Sequence, residues 1–290
     1  EIKTAINNQT RTLTGIPGPN YWQNAIDYKI EAVFNPETGK ITGKETVTYT
    51  NNSPNTLYNL VFNIYPNLFK KGNKRDREVN PNDIHDGIII SKLSIDNKSL
   101  DLKLKKINFS GTKLMVNLPK SLITKGKVSV TLEWEFTMQN NTTIRVGKYG
   151  PNTWFVGYWY PQLAVYDDVF GWDEIDYDGQ HEFYSPYANF DVKIKMPAKQ
   201  IVWATGIWQN PSEILNEPYL GRYNEALNSD DVVRIVTNED LNQKITKSDL
   251  ENVWYYKAGE IYRTCDLLGD TKKAWSSDEV SFPVTFIKLN

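Results

Sequence analysis

The sequence is short of the residues from which most catalytic and metal centres are built. Two histidines, His85 and His181, and a single cysteine, Cys265, are all that 290 residues contain. One cysteine excludes an internal disulfide. Two histidines are too few for a His-rich metal site and leave little room for a Ser–His or Cys–His dyad. Positive charge is not in excess either: 33 Lys and Arg stand against 35 Asp and Glu, a formal net charge of -2. That balance argues against a nucleic-acid surface. No apolar run approaches the roughly 20 residues needed to cross a bilayer, so no transmembrane segment is expected. Amphipathic helices of ordinary length are also missing from the first two-thirds of the chain.

Aromatic residues are abundant, at 13% with 9 Trp and 17 Tyr, which suits β-sheets and binding surfaces. Strand signals run through the chain. Tyr28, Ile30, Ala32 and Phe34 alternate with polar residues and lead into the turn Asn35 to Gly39; Ile41, Val47 and Tyr49 resume the pattern. This is a hairpin by period and turn chemistry. Leu57 to Phe69 reads as a strand ended by Pro66, and three short strands are expected around Asn97 and Gly111. Val128, Val130, Leu132, Trp134 and Phe136 share one face of a further strand. The charged tract from Lys70 to Gly87 reads as a solvated loop, and the tract from Ser229 to Glu260 as one short helix before a strand at Val253 to Lys257. The predicted fold is all-β: a mostly antiparallel β-sandwich, bowl- or saddle-like. Residues 1–24 form a polar lead-in, broken at Pro17 to Pro19, and residues 25–264 form the β domain.

His181-Glu182 opens like the zinc motif H-E-x-x-H. That motif needs two imidazoles one helical turn apart, and the second position holds Ser185. The residues that follow, Phe190, Val192, Ile194 and Met196, alternate as a strand. No metal ligand and no catalytic residue is assigned in this chain. The span from Tyr149 to Tyr184 is its most unusual part, dense in aromatics and in acids: Asp167, Asp168, Asp173, Glu174, Asp176, Asp178 and Glu182. The plain reading is a long connection pinned to a sheet by its aromatics, with its acids in water. A calcium loop is a second reading, but the Asp spacing does not fit D-x-D-x-D-G. Paired carboxylates for glycoside hydrolysis are a third, and any acidic β protein offers such pairs.

Several ordered segments resemble the amino-terminal domain of bacterial zinc aminopeptidases of peptidase family M-one, the gluzincins. They are "WYPQLAVYDD" (Trp159 to Asp168), Gly171-Trp172, "HEFYSPYANFDVKIKMPA" and "VWATG" (Val202 to Gly206). The opening "YKIEAVFNPETGKITGKETVTYTNNSPNTLYNLVFNIYPNLF" and "VWYYKAGEIYRT" are similar to further strands of that domain, so the resemblance runs from about Tyr28 to Arg263. It implies a non-catalytic β domain that packs on a catalytic domain and forms one wall of its peptide cleft. The family's H-E-x-x-H helix and G-x-M-E-N loop belong to that next domain, and neither motif occurs here. Zinc is accordingly expected in a catalytic domain outside this chain, with no cofactor within it, and the chain alone is expected to be inactive. Residues 265–290 read as a linker or the start of that catalytic domain. The resemblance implies Tyr158, Trp159 and Tyr160 as substrate-binding residues, although a Gln is expected where Tyr158 stands. In an alternating strand Trp159 would face away from the two tyrosines. Peptide would bind only in the complete protein, and Tyr158→Ala would barely alter the stability of this one. The polar opening "EIKTAINNQT" reads as an end left by signal removal or as another boundary, and an extracytoplasmic protein, periplasmic or secreted, is expected. The alternative function is a free-standing β-sandwich module that binds carbohydrate or protein, stacking sugars on exposed Trp and Tyr.

Overall fold

The structure is a computed structural model that describes residues 2–103, 106–140, 145–151, 153–181, 183–198, 200–259 and 284–288. Cys265 lies outside them, as does Glu182 of the half zinc motif. The strands, in chain order, are β1 (Ala25–Asn35), β2 (Lys40–Thr50), β3 (Leu57–Asn63), β4 (Ile89–Ile95), β5 (Lys98–Ser99), β6 (Ile107–Ser110), β7 (Lys113–Leu122), β8 (Lys127–Thr137), β9 (Val146–Tyr149), β10 (Thr153–Val156), β11 (Gln162–Leu163), β12 (Tyr166–Asp167), β13 (Gly171–Trp172), β14 (Asn189–Pro197), β15 (Gln200–Ala204), β16 (Ile207–Trp208), β17 (Glu251–Ala258) and β18 (Val284–Lys288). An eight-stranded sheet has the order β16-β17-β14-β1-β2-β8-β4-β5, and two four-stranded sheets have the orders β15-β18-β10-β9 and β11-β3-β7-β6. Pairing is antiparallel except between β1 and β14. The all-β, sandwich-like class expected from the sequence is the class observed.

The alternation in the sequence explains the large sheet. In β1 every second residue, from Ile26 to Phe34, is buried, and β8 and β14 repeat the pattern. Burying each large apolar side chain on that face contributes roughly 1.5–3 kcal/mol. The β1–β2 hairpin turns where Asn35 Oδ1 accepts the N–H groups of Glu37 (2.9 Å) and Thr38 (3.3 Å), and Gly39 takes a positive φ of 68°. The outward face carries hydroxyls and mixed charges, with Thr46 and Thr131 in hydrogen-bond contact and exposed pairs such as Lys92–Glu133. Such exposed pairs contribute little, so the inner face holds the fold together. One hydrophobic cluster joins it to both smaller sheets. Phe34 of β1 meets Trp154 of β10 edge-on at 5.4 Å, and the Tyr256 hydroxyl of β17 donates to the Val202 carbonyl of β15 at 2.7 Å.

Several local expectations are corrected. The strand expected through Phe69 ends at Asn63, and Tyr65–Phe69 form a 3-10 turn that contains Pro66 near its start. Proline donates no N–H and suits the first turn of a helix. The charged tract after it is not wholly solvated: Asp83 is buried and His85 half-buried. Among the described residues the longest helix is α3 (Tyr219–Ala226), after α1 (Ile2–Asn7) and α2 (Pro211–Ile214). The tract expected to hold a helix has only a 3-10 turn, Asn238–Asn242, before β17. β18, from the stretch read as a linker or new domain, pairs with both β15 and β10.

Gly43 of β2 is paired with Trp134 of β8, and the indole lies across it. A Cβ at residue 43 would stand 2.3 Å from the Trp134 ring. Trp134→Ala should cost about 3–5 kcal/mol in denaturant melts. Gly43→Ala should cost about 1–3 kcal/mol by overpacking in the wild-type background and close to nothing in Trp134→Ala. Equal costs in both backgrounds would show that the two residues do not share this space.

Candidate functional site

The aromatic and acidic connection between β10 and β14 is where the candidate residues gather. After Val156 the chain leaves its sheet, with the Gly157 N–H donating to the Arg145 carbonyl at 2.8 Å. Tyr158 has a positive φ of 54°, and residues 157–161 form bends and irregular chain. The left-handed region costs a non-glycine residue roughly 1–2 kcal/mol. The alternation expected of Tyr158, Trp159 and Tyr160 therefore does not apply. All three side chains are buried, at 2%, 1% and 1% exposure.

Each has a different neighbourhood. Tyr158 packs with Tyr65 (5.3 Å between ring centres), Phe183 (4.9 Å) and Tyr177 (6.3 Å), and its hydroxyl accepts from Arg145 Nη1 at 2.7 Å. Trp159 stands edge-on to Trp134 at 5.8 Å, and Tyr160 edge-on to Tyr28 at 5.4 Å. Three residues on, the Leu163 N–H donates to the buried Tyr28 hydroxyl at 2.8 Å. Burial, more than any neighbouring charge, pushes the Tyr28 hydroxyl far above its ordinary pKa. In this chain the three predicted site residues are packing residues, with no open ring face.

The acids of the connection do not converge on one point. Asp167 caps the β12–β13 turn by accepting from the N–H groups of Val169 and Phe170, and it also accepts from the Tyr184 hydroxyl at 3.0 Å. Asp168, its side chain buried, takes three hydrogen bonds from Arg11 of the lead-in segment, at 2.8, 3.0 and 3.2 Å. Burial raises the Asp168 carboxyl, and the hydrogen bonds and charge of Arg11, together with Thr10 and the backbone, hold the group below its ordinary value. Asp173 lies beside the buried Lys113, whose ammonium donates to the Asp173 carbonyl at 3.0 Å and to Asn63. Burial lowers the Lys113 pKa, against the pull of Asp173. Asp176 accepts from the Thr112 N–H at 2.9 Å. The spacing expected for a calcium loop is not realised, because these carboxylates serve separate partners.

Among the described residues, Asp76, Asp178 and His181 bring one possible metal ligand each within 4.8 Å of one another. Asp178 is already engaged: Oδ1 accepts from the N–H groups of Gln180 and His181, and Oδ2 bonds the His181 ring. These bonds, backbone first, hold the Asp178 carboxyl down to about 2, and the same contact raises the His181 imidazole. His181 sits in irregular chain, not on the helix that H-E-x-x-H needs. His85 has both ring nitrogens in use. Nδ1 accepts from the Gly87 N–H at 2.8 Å, and Nε2 lies 3.0 Å from the Gln139 side-chain nitrogen. Burial lowers the His85 pKa to about 4. The group of Asp76, Asp178 and His181 offers one imidazole where H-E-x-x-H supplies two, and that imidazole is already bonded to Asp178.

No family model matches the sequence, and no curated protein matches it. Among solved structures, the chain is similar to an M1 zinc metallopeptidase from Deinococcus radiodurans, at 11% identity and a TM-score of 0.45. A mutant two-domain M1 zinc metallopeptidase bound to L-tryptophan is similar at 10% identity and the same TM-score. Each likeness covers 94% of this chain and 44% of the other, so this chain spans less than half the length of those proteins.

Two measurements check the site. In an NMR titration the His181 ring should titrate above its ordinary value and the His85 ring at about 4. Asp178→Asn should lower the first and leave the second. Because the folded pKa of His85 is depressed, its contribution to stability is present above the unfolded value of about 6.5 and is lost as pH falls toward 4. Tyr158→Ala, in contrast to the expectation from resemblance, should cost about 3–5 kcal/mol, on the scale of buried aromatic truncations. A loss under 1 kcal/mol in urea melts would put the ring at the surface.

Proposed function

We propose that this chain is the non-catalytic β domain of a zinc metallopeptidase of the aminopeptidase type, which packs on a catalytic domain and forms one wall of its peptide cleft. The observation that carries this reading is the exposed apolar side of the same connection. Phe170 is 67% exposed, Ile175 79% and Tyr184 48%, while nearby aromatics are buried. Asp167 ties Phe170 and Tyr184 together, since it accepts from the backbone of one and the hydroxyl of the other. Exposed apolar clusters with a polar rim mark interaction surfaces. The segments that resemble the family also fall on this connection and on the strands around it: "WYPQLAVYDD" on the crossing chain and β11–β12, Gly171-Trp172 on β13, Phe190 to Val192 on β14 and "VWATG" on β15 and its turn.

In this reading zinc, general base and amino-group clamp belong to the catalytic domain. Tyr158, Trp159 and Tyr160 serve the cleft by fixing the shape of its wall from behind. The alternative of a sugar-stacking module calls for a platform of exposed Trp and Tyr; no tryptophan among the described residues is exposed, while Tyr58, Tyr149, Tyr184 and Tyr187 are.

The test is direct. The reading frame that follows Asn290 in the gene should encode H-E-x-x-H and a G-x-M-E-N loop, and a frame that closes without them overturns the proposal. The isolated chain should hydrolyse aminoacyl anilides at the uncatalysed rate. Phe170→Ser with Tyr184→Ser should leave its melting unchanged and weaken its association with the catalytic domain encoded downstream, as read by calorimetric titration of the two purified pieces.

A further inference from the structure

Glu45 stands on the inner face of β2, in register with Ile30 of β1 and Leu132 of β8. It is wholly buried, and neither carboxyl oxygen has a hydrogen-bond partner. The influences on it are burial, which comes first and drives its pKa well above the carboxylate range, and the Trp134 indole, which acts weakly in the other direction. The indole N–H does not complete a hydrogen bond to it. Its surroundings are Ile30 and the Tyr28 hydroxyl from β1, Leu132 and Trp134 from β8, and Gly43 and Val47 on its own strand. The titratable groups that face this region are Tyr28, Tyr49 further along β2 and, from the crossing chain, Tyr160 against the Tyr28 ring. No cation acts on Glu45 among the described residues. A carboxylate taken out of water with nothing to pair with is strongly disfavoured and takes up a proton instead.

The position matters because of what lies on either side. In the register of the sheet, the diagonal neighbours of Glu45 are Tyr28 on β1 and Trp134 on β8. These two residues hold the crossing chain on the sheet: Trp159 rests on Trp134, and Tyr160 and the Leu163 N–H rest on Tyr28. We propose that Glu45 is a proton switch for this crossing chain: it holds a proton while Trp159 to Leu163 lie packed, and loss of that proton lifts them from the sheet. An ionised Glu45 needs water, and the two rings beside it, Tyr28 and Trp134, are the ones on which the crossing chain packs. The inference stands on packing alone and does not require the function proposed above.

The switch has a definite sign. A group whose folded pKa is raised contributes stability below its unfolded value, about 4.3 for Glu, and loses it as pH rises. With one proton bound in the packed state and none in the open one, the opening constant should climb about tenfold per pH unit. The readout is amide hydrogen exchange at Leu163 from pH 6 upward, corrected for intrinsic exchange, in wild type and Glu45→Gln, with the wild-type slope ending where the packed carboxyl itself ionises. The comparison cancels groups the two proteins share, His85 among them. Wild type should show the tenfold slope, and Glu45→Gln should be flat. Equal slopes overturn the proposal. Infrared spectroscopy of the wild-type chain at pH 7 gives a second reading that needs no variant to fold. A protonated-carboxyl stretch supports the switch, and its absence shows that Glu45 is ionised and overturns it.

Discussion

The bond from the Leu163 N–H to the Tyr28 hydroxyl is the constraint on which the aromatic side of the molecule depends. A chain that crosses the inside of a sandwich takes its backbone polar groups away from water, and each must find a partner there. Tyr28 supplies one from the middle of β1, where alternation would otherwise place another apolar residue. Its ring also stacks on Phe190 of β14 at 5.0 Å and meets Tyr160 edge-on, so one side chain joins β1, β14 and the crossing chain. Once Leu163 is fixed, β11 can pair with β3, and the β12–β13 hairpin follows at a set distance from the core.

The acids beyond that point act as fasteners. Asp168 fixes the lead-in through Arg11, Asp173 lies against Lys113 of β7, and Asp176 closes on Thr112. A buried pair costs desolvation that its attraction barely repays, so these contacts are better read as setting where the connection runs than as stabilising it greatly.

Much of the fold was legible in the sequence, because its large strands obey period two. β1, β8, β14 and β17 follow from alternation, and the β1–β2 turn from Asn35 and Gly39. Two positions in β2 break the apolar pattern, Gly43 and Glu45, and the same period shows that both face inward. Each break marks something the pattern cannot explain: a glycine that yields its place to Trp134, and a carboxyl with no partner. The crossing chain was not legible. Gly157 to Pro161 is apolar and aromatic throughout, so periodicity offers no facing, and the left-handed Tyr158 breaks any alternation. Separate partners for the acids were equally hidden, because Arg11, Lys113 and Thr112 are remote from them in sequence. The strand that alternation places after the half zinc motif is β14.

The parallel pairing of β1 with β14 bears on how the chain is made. β1 sits in the middle of the finished sheet, but its partner on one side lies more than a hundred residues further along. At roughly 5–20 residues per second of synthesis, β1 waits on the order of ten seconds or more with one row of backbone groups unpaired. A bare edge of that kind invites a strand from another molecule. The residues β1 turns outward include Asp27, Lys29 and Glu31, and charges on an edge strand discourage such pairing. The polar side of this strand, unremarkable in the finished protein, thus guards the nascent one until Asn189 to Pro197 arrive.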